Sequence, residues 1–184
     1  MSVCHAETSQ LLLVDLQTRL FAAMSESERV ATVRVSEVLS QAATKLGVPI
    51  HFTEQYPRGL GTTDSKVLAH LPETAHRFEK SGFSCCAAEG FTSELKRNER
   101  RQIVMVGQEA HVCVLQTAFD LLEAGYRVFV VGDGVCSRNP EHKRNALARM
   151  EQAGIVITNA ESVLFEWLRD ASHPNFKSLS GLIR

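Results

Sequence analysis

The sequence lacks a long apolar run, an excess of charge of either sign, and any C-x-x-C pair of cysteines. No apolar stretch approaches the ~18 residues that a membrane-spanning helix needs, so no membrane partner is expected. Lysine plus arginine number 20 against 21 aspartates plus glutamates, a formal net charge of −1. That balance leaves no electrostatic footprint for nucleic acid or an anionic lipid surface. Residues 1–7 carry neither a basic region nor a long apolar segment and do not read as a secretory leader. The five cysteines are an odd number in a chain too large to depend on disulfides. Reduced thiols in a cytosol-like compartment, cytosol or organelle alike, are the simpler reading. Internal repeats, low-complexity tracts and interdomain linkers are absent as well.

What is present is an ordinary globular composition. The 184 residues are 44% hydrophobic and 22% charged, which excludes general disorder. A chain of this length forms one domain and buries roughly 70% of the surface its unfolded form exposes. It needs no staple of disulfide or metal.

Short apolar runs alternate with helical stretches. Leu11 to Val14 is a continuous apolar run stopping at Asp15, as a fully buried strand would. Ser25 with Glu28 offers a capping box, and Val35, Val38, Leu39, Ala42, Ala43 and Leu46 then recur on one helical face. Gly47 ends that helix. A second strand is predicted over 48–52, followed by a Gly- and Pro-rich loop over 56–61. A short third strand is expected over 75–79 and a helix over 89–98. Strands over 103–106, 127–131 and 155–158 alternate with helices over 112–124, 139–154 and 162–169. Asn139 as cap and Pro140 in the first turn open the second of these helices. The domain is placed at 9–170, with a loosely ordered tail over 171–184. Strand–helix alternation with continuous apolar strands implies parallel pairing and right-handed crossovers, a three-layer α/β sandwich of about six strands.

In such sheets functional groups gather beyond the carboxyl ends of the strands. That rule selects Asp15 after the first strand, Lys80 after the third, and the segment from Gly107 to Cys113 after the fourth. A cysteine in the first turn of a helix meets unpaired N–H groups and the positive end of the dipole, which favour the thiolate. A lysine nearby would lower the thiol pKa further, and a carboxylate could accept the proton. The plainer readings stand beside this one: Cys113 as packing, Asp15 as a turn cap, Lys80 as a solvated charge. Cys85, Cys86 and Cys136 are assigned to packing. Other signatures fail. The residue six after Cys113 is Phe119 rather than the arginine of a thiol phosphatase, and neither Gly59-Leu60-Gly61 nor Gly132-Asp133-Gly134 completes a dinucleotide fingerprint. No nucleotide cofactor is expected.

Five segments together resemble the isochorismatase-like (cysteine hydrolase) superfamily, in particular its isochorismatase domain-containing branch. They are Leu-Leu-Leu-Val-Asp-Leu-Gln (11–17), Thr-Glu-Gln-Tyr-Pro-Arg-Gly-Leu-Gly (53–61) and Lys-Ser-Gly-Phe-Ser (80–84). Gly-Gln-Glu-Ala-His-Val-Cys-Val (107–114) and Gly-Tyr-Arg-Val-Phe-Val-Val-Gly-Asp-Gly-Val-Cys-Ser (125–137) complete the set. The resemblance implies a Rossmann-like sheet and a triad of Asp15, Lys80 and Cys113. Cys113 would attack a carbonyl or related carbon, Asp15 would serve as general base, and Lys80 would hold the charge balance. It also implies a cis peptide between Gln108 and Glu109, turning the Glu109 N–H, with that of Cys113, towards the oxyanion.

The match has departures. Where a metal-binding amidase branch carries an Asp followed by paired histidines, this chain reads Thr53-Glu54-Gln55-Tyr56-Pro57, with His51 inside the strand. No zinc, no other cofactor and no nicotinamide substrate are therefore expected. Many relatives have Thr and Asp where Ala110 and His111 stand here. His111 lines the pocket or is a hydrogen-bonded structural histidine; Gln17, Tyr56 and Phe83 are candidate pocket walls, with core packing the alternative for Phe83. The expected function is metal-independent hydrolysis of a small carbonyl, amide or vinyl-ether substrate by a homo-oligomer, dimer or larger. The alternative is an interaction or scaffold protein that keeps the fold with little activity.

Overall fold

A computed structural model describes residues 3–183. The first strand, β1 (Ser9–Val14), is buried along its whole length. After it come a single turn, α1 (Thr18–Phe21), and the long helix α2 (Glu26–Leu46). Ser25 Oγ accepts the Glu28 N–H at 3.3 Å, half of a capping box. The other half is missing because the Glu28 carboxylate pairs with Lys143 at 3.0 Å instead. Gly47 closes α2 with φ of +66°, a conformation that glycine adopts without steric cost.

Strand β2 (Ile50–Gln55) leads into two one-turn helices, α3 (Pro57–Leu60) and α4 (Ser65–Leu68), and then β3 (His76–Lys80). Helix α5 (Phe91–Arg97), β4 (Gln102–Gln108), a π-turn (Ala110–Val114) and α6 (Leu115–Glu123) follow. The chain ends with β5 (Arg127–Cys136), α7 (Pro140–Gln152), β6 (Val156–Thr158), α8 (Ala160–Leu168) and α9 (Phe176–Ser180). Asn139 Oδ1 caps α7 through the Glu141 N–H at 2.9 Å.

The six strands form one parallel sheet in the order β3-β2-β1-β4-β5-β6. This is a doubly wound Rossmann-like α/β sandwich whose direction reverses between β1 and β4. Alternation along β1 divides the core. Leu11 and Leu13 pack with α2 and α8 on one face, Leu12 and Val14 with α5, α6 and α7 on the other. Each such leucine, fully withdrawn from water, contributes about 2 kcal/mol. Among the described residues no helix is long and apolar enough to cross a membrane.

Three expectations need correction. The tail after residue 170 is not loosely ordered: α9 and the turn Gly181–Ile183 dock on the core, with Leu179 wholly buried. Phe176, Leu179, Leu182 and Ile183 recur at helical spacing, and the Arg34 guanidinium donates to the Leu182 carbonyl at 2.6 Å. The 56–61 loop contains the turn α3. Strand β5 runs through Gly132 and Gly134 to Cys136, five residues past its expected end.

Candidate active site

The sheet order reverses between β1 and β4, and Asp15 and the turn bearing Cys113 follow the carboxyl ends of these two strands. Asp15 leaves β1 with φ of +51°, and Gly107 on the neighbouring strand has φ of +131°. A Cβ on Gly107 would lie 2.1 Å from the Val14 carbonyl oxygen, so only glycine lets β4 run this close to β1. The next peptide but one, Gln108–Glu109, is cis. Gln108 is buried, and its Nε2 donates to the Asp15 carbonyl at 3.0 Å.

The Asp15 carboxylate is wholly buried and ringed by donors. Lys80, reaching across the end of β2, donates to Oδ2 at 2.7 Å; Thr53 donates to Oδ1 at 2.6 Å. The Cys113 thiol lies close enough to feel the same carboxylate electrostatically. The Lys80 ammonium is itself saturated. Besides Asp15 it meets Gln55 Oε1 at 2.6 Å, the Phe83 carbonyl at 2.9 Å and the Gly82 carbonyl at 3.3 Å. Burial pulls its pKa down, but the Asp15 carboxylate and the neighbouring thiols outweigh that, so the net direction is up. Lys80 stays charged beside its partner.

Cys113 is 6% exposed and lies fourth in the π-turn rather than in the first turn of an α-helix. The expectation of a favoured thiolate does not hold. Burial pushes the thiol up, the Asp15 carboxylate pushes the same way, and Lys80 opposes them without prevailing. The resting group is a thiol. Cys85 stands nearby, fully buried, with its sulfur 3.6 Å from Thr53 Oγ1 and its pKa pushed up to about 12 by burial and by Asp15. Thr117 joins the two cysteines through the backbone, accepting from the Cys85 N–H at 2.9 Å and donating to the Cys113 carbonyl at 2.6 Å.

The remaining candidates occupy different places. Gln17 is buried, and backbone engages its amide on both sides. Its Nε2 donates to the Gln55 and Gly61 carbonyls at 3.0 and 2.6 Å, and its Oε1 accepts the Gln55 N–H at 2.7 Å. Tyr56 and Phe83 are 58% and 54% exposed, so neither is core packing. His111 is half-buried, its Nδ1 3.0 Å from Ser137 Oγ and its ring 4.8 Å from that of His142. Burial lowers its pKa, with His142 and Arg138 acting the same way against Glu109. Glu109 is buried and paired with Arg138. Burial raises the Glu109 pKa, and the Arg138 bonds reverse that to a net lowering.

Thr53, Gln55 and Arg138 contact Asp15, Lys80 and Glu109 respectively, and the sequence alone does not single them out. The strand-end rule that selects Asp15 reaches the first two at the end of β2. Among the described residues no three His, Cys, Asp or Glu side chains group so as to hold a metal ion.

Comparison with known proteins places this geometry. A family model described as "Isochorismatase domain" matches residues 9–162. The chain is 40% identical over 177 residues to isochorismatase family protein 1B of Dictyostelium discoideum, covering 94% of this chain and 84% of that protein. It is 39% identical over 153 residues to a Phytophthora sojae protein named as a secreted isochorismatase effector, covering 81% and 72%. A Caenorhabditis elegans structure named as MAR1 ribonuclease superposes with a TM-score of 0.93 at 36% identity, covering 99% of this chain and 92% of that one. The YcaC product of Escherichia coli, described as an octameric hydrolase of unknown specificity, superposes with a TM-score of 0.92 at 25% identity, covering 100% and 90%.

Proposed function

Because the chain belongs to the isochorismatase family, we propose that it is a cysteine hydrolase of small carbonyl, amide or vinyl-ether substrates, working without a metal. The observation that carries this reading is one buried carboxylate, Asp15, bonded to the Lys80 ammonium at 2.7 Å and lying within electrostatic reach of the buried Cys113 thiol. A thiol with a raised pKa is a poor nucleophile unless its proton has somewhere to go as it attacks. Asp15 supplies that place. As Cys113 Sγ bonds to the substrate carbon, the thiol proton moves to Asp15 and the carbonyl π pair moves to oxygen, facing the Glu109 and Cys113 N–H groups. Collapse expels the leaving group, which takes the proton from Asp15. Water then enters with Asp15 as base, and the thiol is restored. Lys80 touches no substrate, since its donors are spent; it holds the Asp15 carboxylate in place and balances its charge. Gln17 is assigned the same supporting part, pinning the 55–61 loop, while Tyr56, Phe83 and His111 form the rim.

The nematode relative's name, a ribonuclease, raises RNA as a substrate. The net charge of −1 and a lysine wholly engaged by protein acceptors favour a small molecule instead. By analogy with the octameric relative, the chain assembles into a closed oligomer. Five unpaired cysteines favour a reducing compartment.

The test is hydrolysis of a panel of small amides, esters and vinyl ethers, with a short RNA as an added arm. Cys113→Ala should return every active member to its uncatalysed rate while the Tm stays within a few degrees. Turnover that survives the substitution removes Cys113 from the mechanism. A wild-type protein inert towards the whole panel supports the scaffold reading.

A further inference from the structure

Three consecutive residues, the last of β5 and the two after it, each hold a different residue of the segment 108–111 that leads into the turn carrying Cys113. Cys136 pairs with Gln108 in the ladder, its sulfur 3.6 Å from Gln108 Oε1. Ser137 Oγ meets His111 Nδ1 at 3.0 Å. Arg138 grips the Glu109 carboxylate from three sides: its N–H donates to Oε2 at 3.0 Å, its Nε to both oxygens at 3.0 and 3.1 Å, and its Nη2 to Oε1. Glu109 is thus held at both ends, because its carbonyl also accepts the Val112 and Val114 N–H groups at 3.0 and 3.2 Å. Gln108 is held equally well by the ladder and by Asp15. With both flanking residues fixed, the plane of the 108–109 peptide, and the direction of its N–H, is fixed too.

The Arg138 side chain is 60% exposed, so it does not act by filling the core. A planar fork locked on a buried carboxylate defines an orientation that a flexible ammonium does not. We propose that Arg138 is a positioning residue, which through Glu109 aims the Glu109 N–H at the oxygen on which charge develops. This rests on Cys113 as the nucleophile, and it adds a residue 25 positions further along the chain whose side chain contacts Glu109.

Two alkylating amides separate the roles. With acrylamide, Sγ bonds to the β-carbon, the alkene π pair shifts to leave an enolate with its charge on the amide oxygen, and the thiol proton ends on the α-carbon. With iodoacetamide, Sγ bonds to the methylene carbon, iodide leaves with the bonding pair, and the proton goes to Asp15 and then solvent; no charge develops on the amide oxygen. The ratio of the two rates at Cys113 therefore reports the oxyanion donor, and the thiol's own reactivity cancels. Rates are read on the Cys113 peptide by mass spectrometry, so the half-buried Cys86 does not interfere.

Arg138→Gln should lower the acrylamide rate roughly tenfold, the effect of a misaimed rather than a missing donor, and leave iodoacetamide within about twofold. Arg138→Lys, which keeps the charge but not the fork, should fall between, and it carries the comparison if the Gln variant does not fold. Equal losses with both reagents, or no loss with either, overturn the positioning role. A folded wild-type protein whose Cys113 takes up neither reagent overturns the nucleophile itself, and Arg138 with it.

Discussion

The two ends of β2 present the same face to the same buried layer, and they treat polarity in opposite ways. His51, Thr53 and Gln55 stand two residues apart along that strand. At the carboxyl end, Thr53 and Gln55 help to solvate a buried ion pair, with Lys80 meeting four acceptors. At the amino end, His51 hydrogen-bonds to a neutral amide. Gln10 Nε2 donates to the Leu95 and Arg100 carbonyls, which turns its Oε1 towards His51 Nε2 at 2.9 Å and Asn98 Nδ2 at 3.1 Å. His51 therefore carries its proton on Nε2, and its buried Nδ1 finds no partner among the described residues. Burial, helped by His76, lowers its pKa to about 4. The chain keeps charge buried where opposite charges and spare acceptors converge, and holds the titratable group neutral where they do not.

The strongest way to break this contrast is to remove one charge. Lys80→Met leaves the Asp15 carboxylate buried with the Thr53 hydroxyl still donating to it. Stranding a buried charge costs about 3–5 kcal/mol. At roughly 2–4 °C per kcal/mol for a chain of this size, the Tm at pH 7 should fall by about 10 °C or more. Adding Asp15→Asn should recover much of the loss, because no unpaired charge then remains. A fall of only a degree or two would mean that the two ends of the strand are not energetically different.

The amino end should answer to pH where the carboxyl end does not require it. The folded pKa of His51 lies below the ordinary value near 6.5, so the unfolded chain takes up the proton first as pH falls. The stability associated with neutral His51 is whole above pH 6.5 and is lost progressively down to about pH 4, about 3 kcal/mol in all. His51→Phe should remove that component, leaving denaturation curves less steep in pH across this window than those of the wild type. Parallel pH profiles for the two proteins would show that His51 is not held neutral by its surroundings.

How much of this can be read from the residues depends on how local each signal is. The buried strand at Leu11 to Val14 and the helix stop at Gly47 are written in a few adjacent residues, and the structure keeps both. Ser25 keeps its cap, but Glu28 turns to Lys143, 115 residues away, a pairing no window reveals. The placing of Asp15 and Cys113 side by side follows from sheet order, which strand–helix alternation implies without specifying. The protonation of Cys113 escapes a local reading because helix position is local whereas burial is not. Arg138 leaves no trace, since its partner lies 29 residues back and only the β4–β5 pairing brings them together. The apolar spacing of Phe176, Leu179 and Leu182 is as local as any of these, and it outweighs the polar composition that suggests a loose tail.

The smallest expected effect sharpens the comparison from within the carboxyl end. Thr53 has one hydroxyl proton, and it goes to Asp15 Oδ1 at 2.6 Å. The Cys85 sulfur, 3.6 Å from that hydroxyl, must then be the donor in its own contact with Thr53. Thr53→Val preserves the shape and removes this link, while Lys80 still serves the carboxylate. The loss is one hydrogen bond to a charged acceptor, about 2 kcal/mol, and a Tm lowered by about 5 °C. That is less than for Lys80→Met because no charge is stranded. In a Thr53→Val, Lys80→Met double variant the combined loss should exceed the sum of the two single losses, since Asp15 then loses both of these donors. Simple additivity would mean that Thr53 and Lys80 act on Asp15 independently, and that the ring of donors around it is not one cooperative unit.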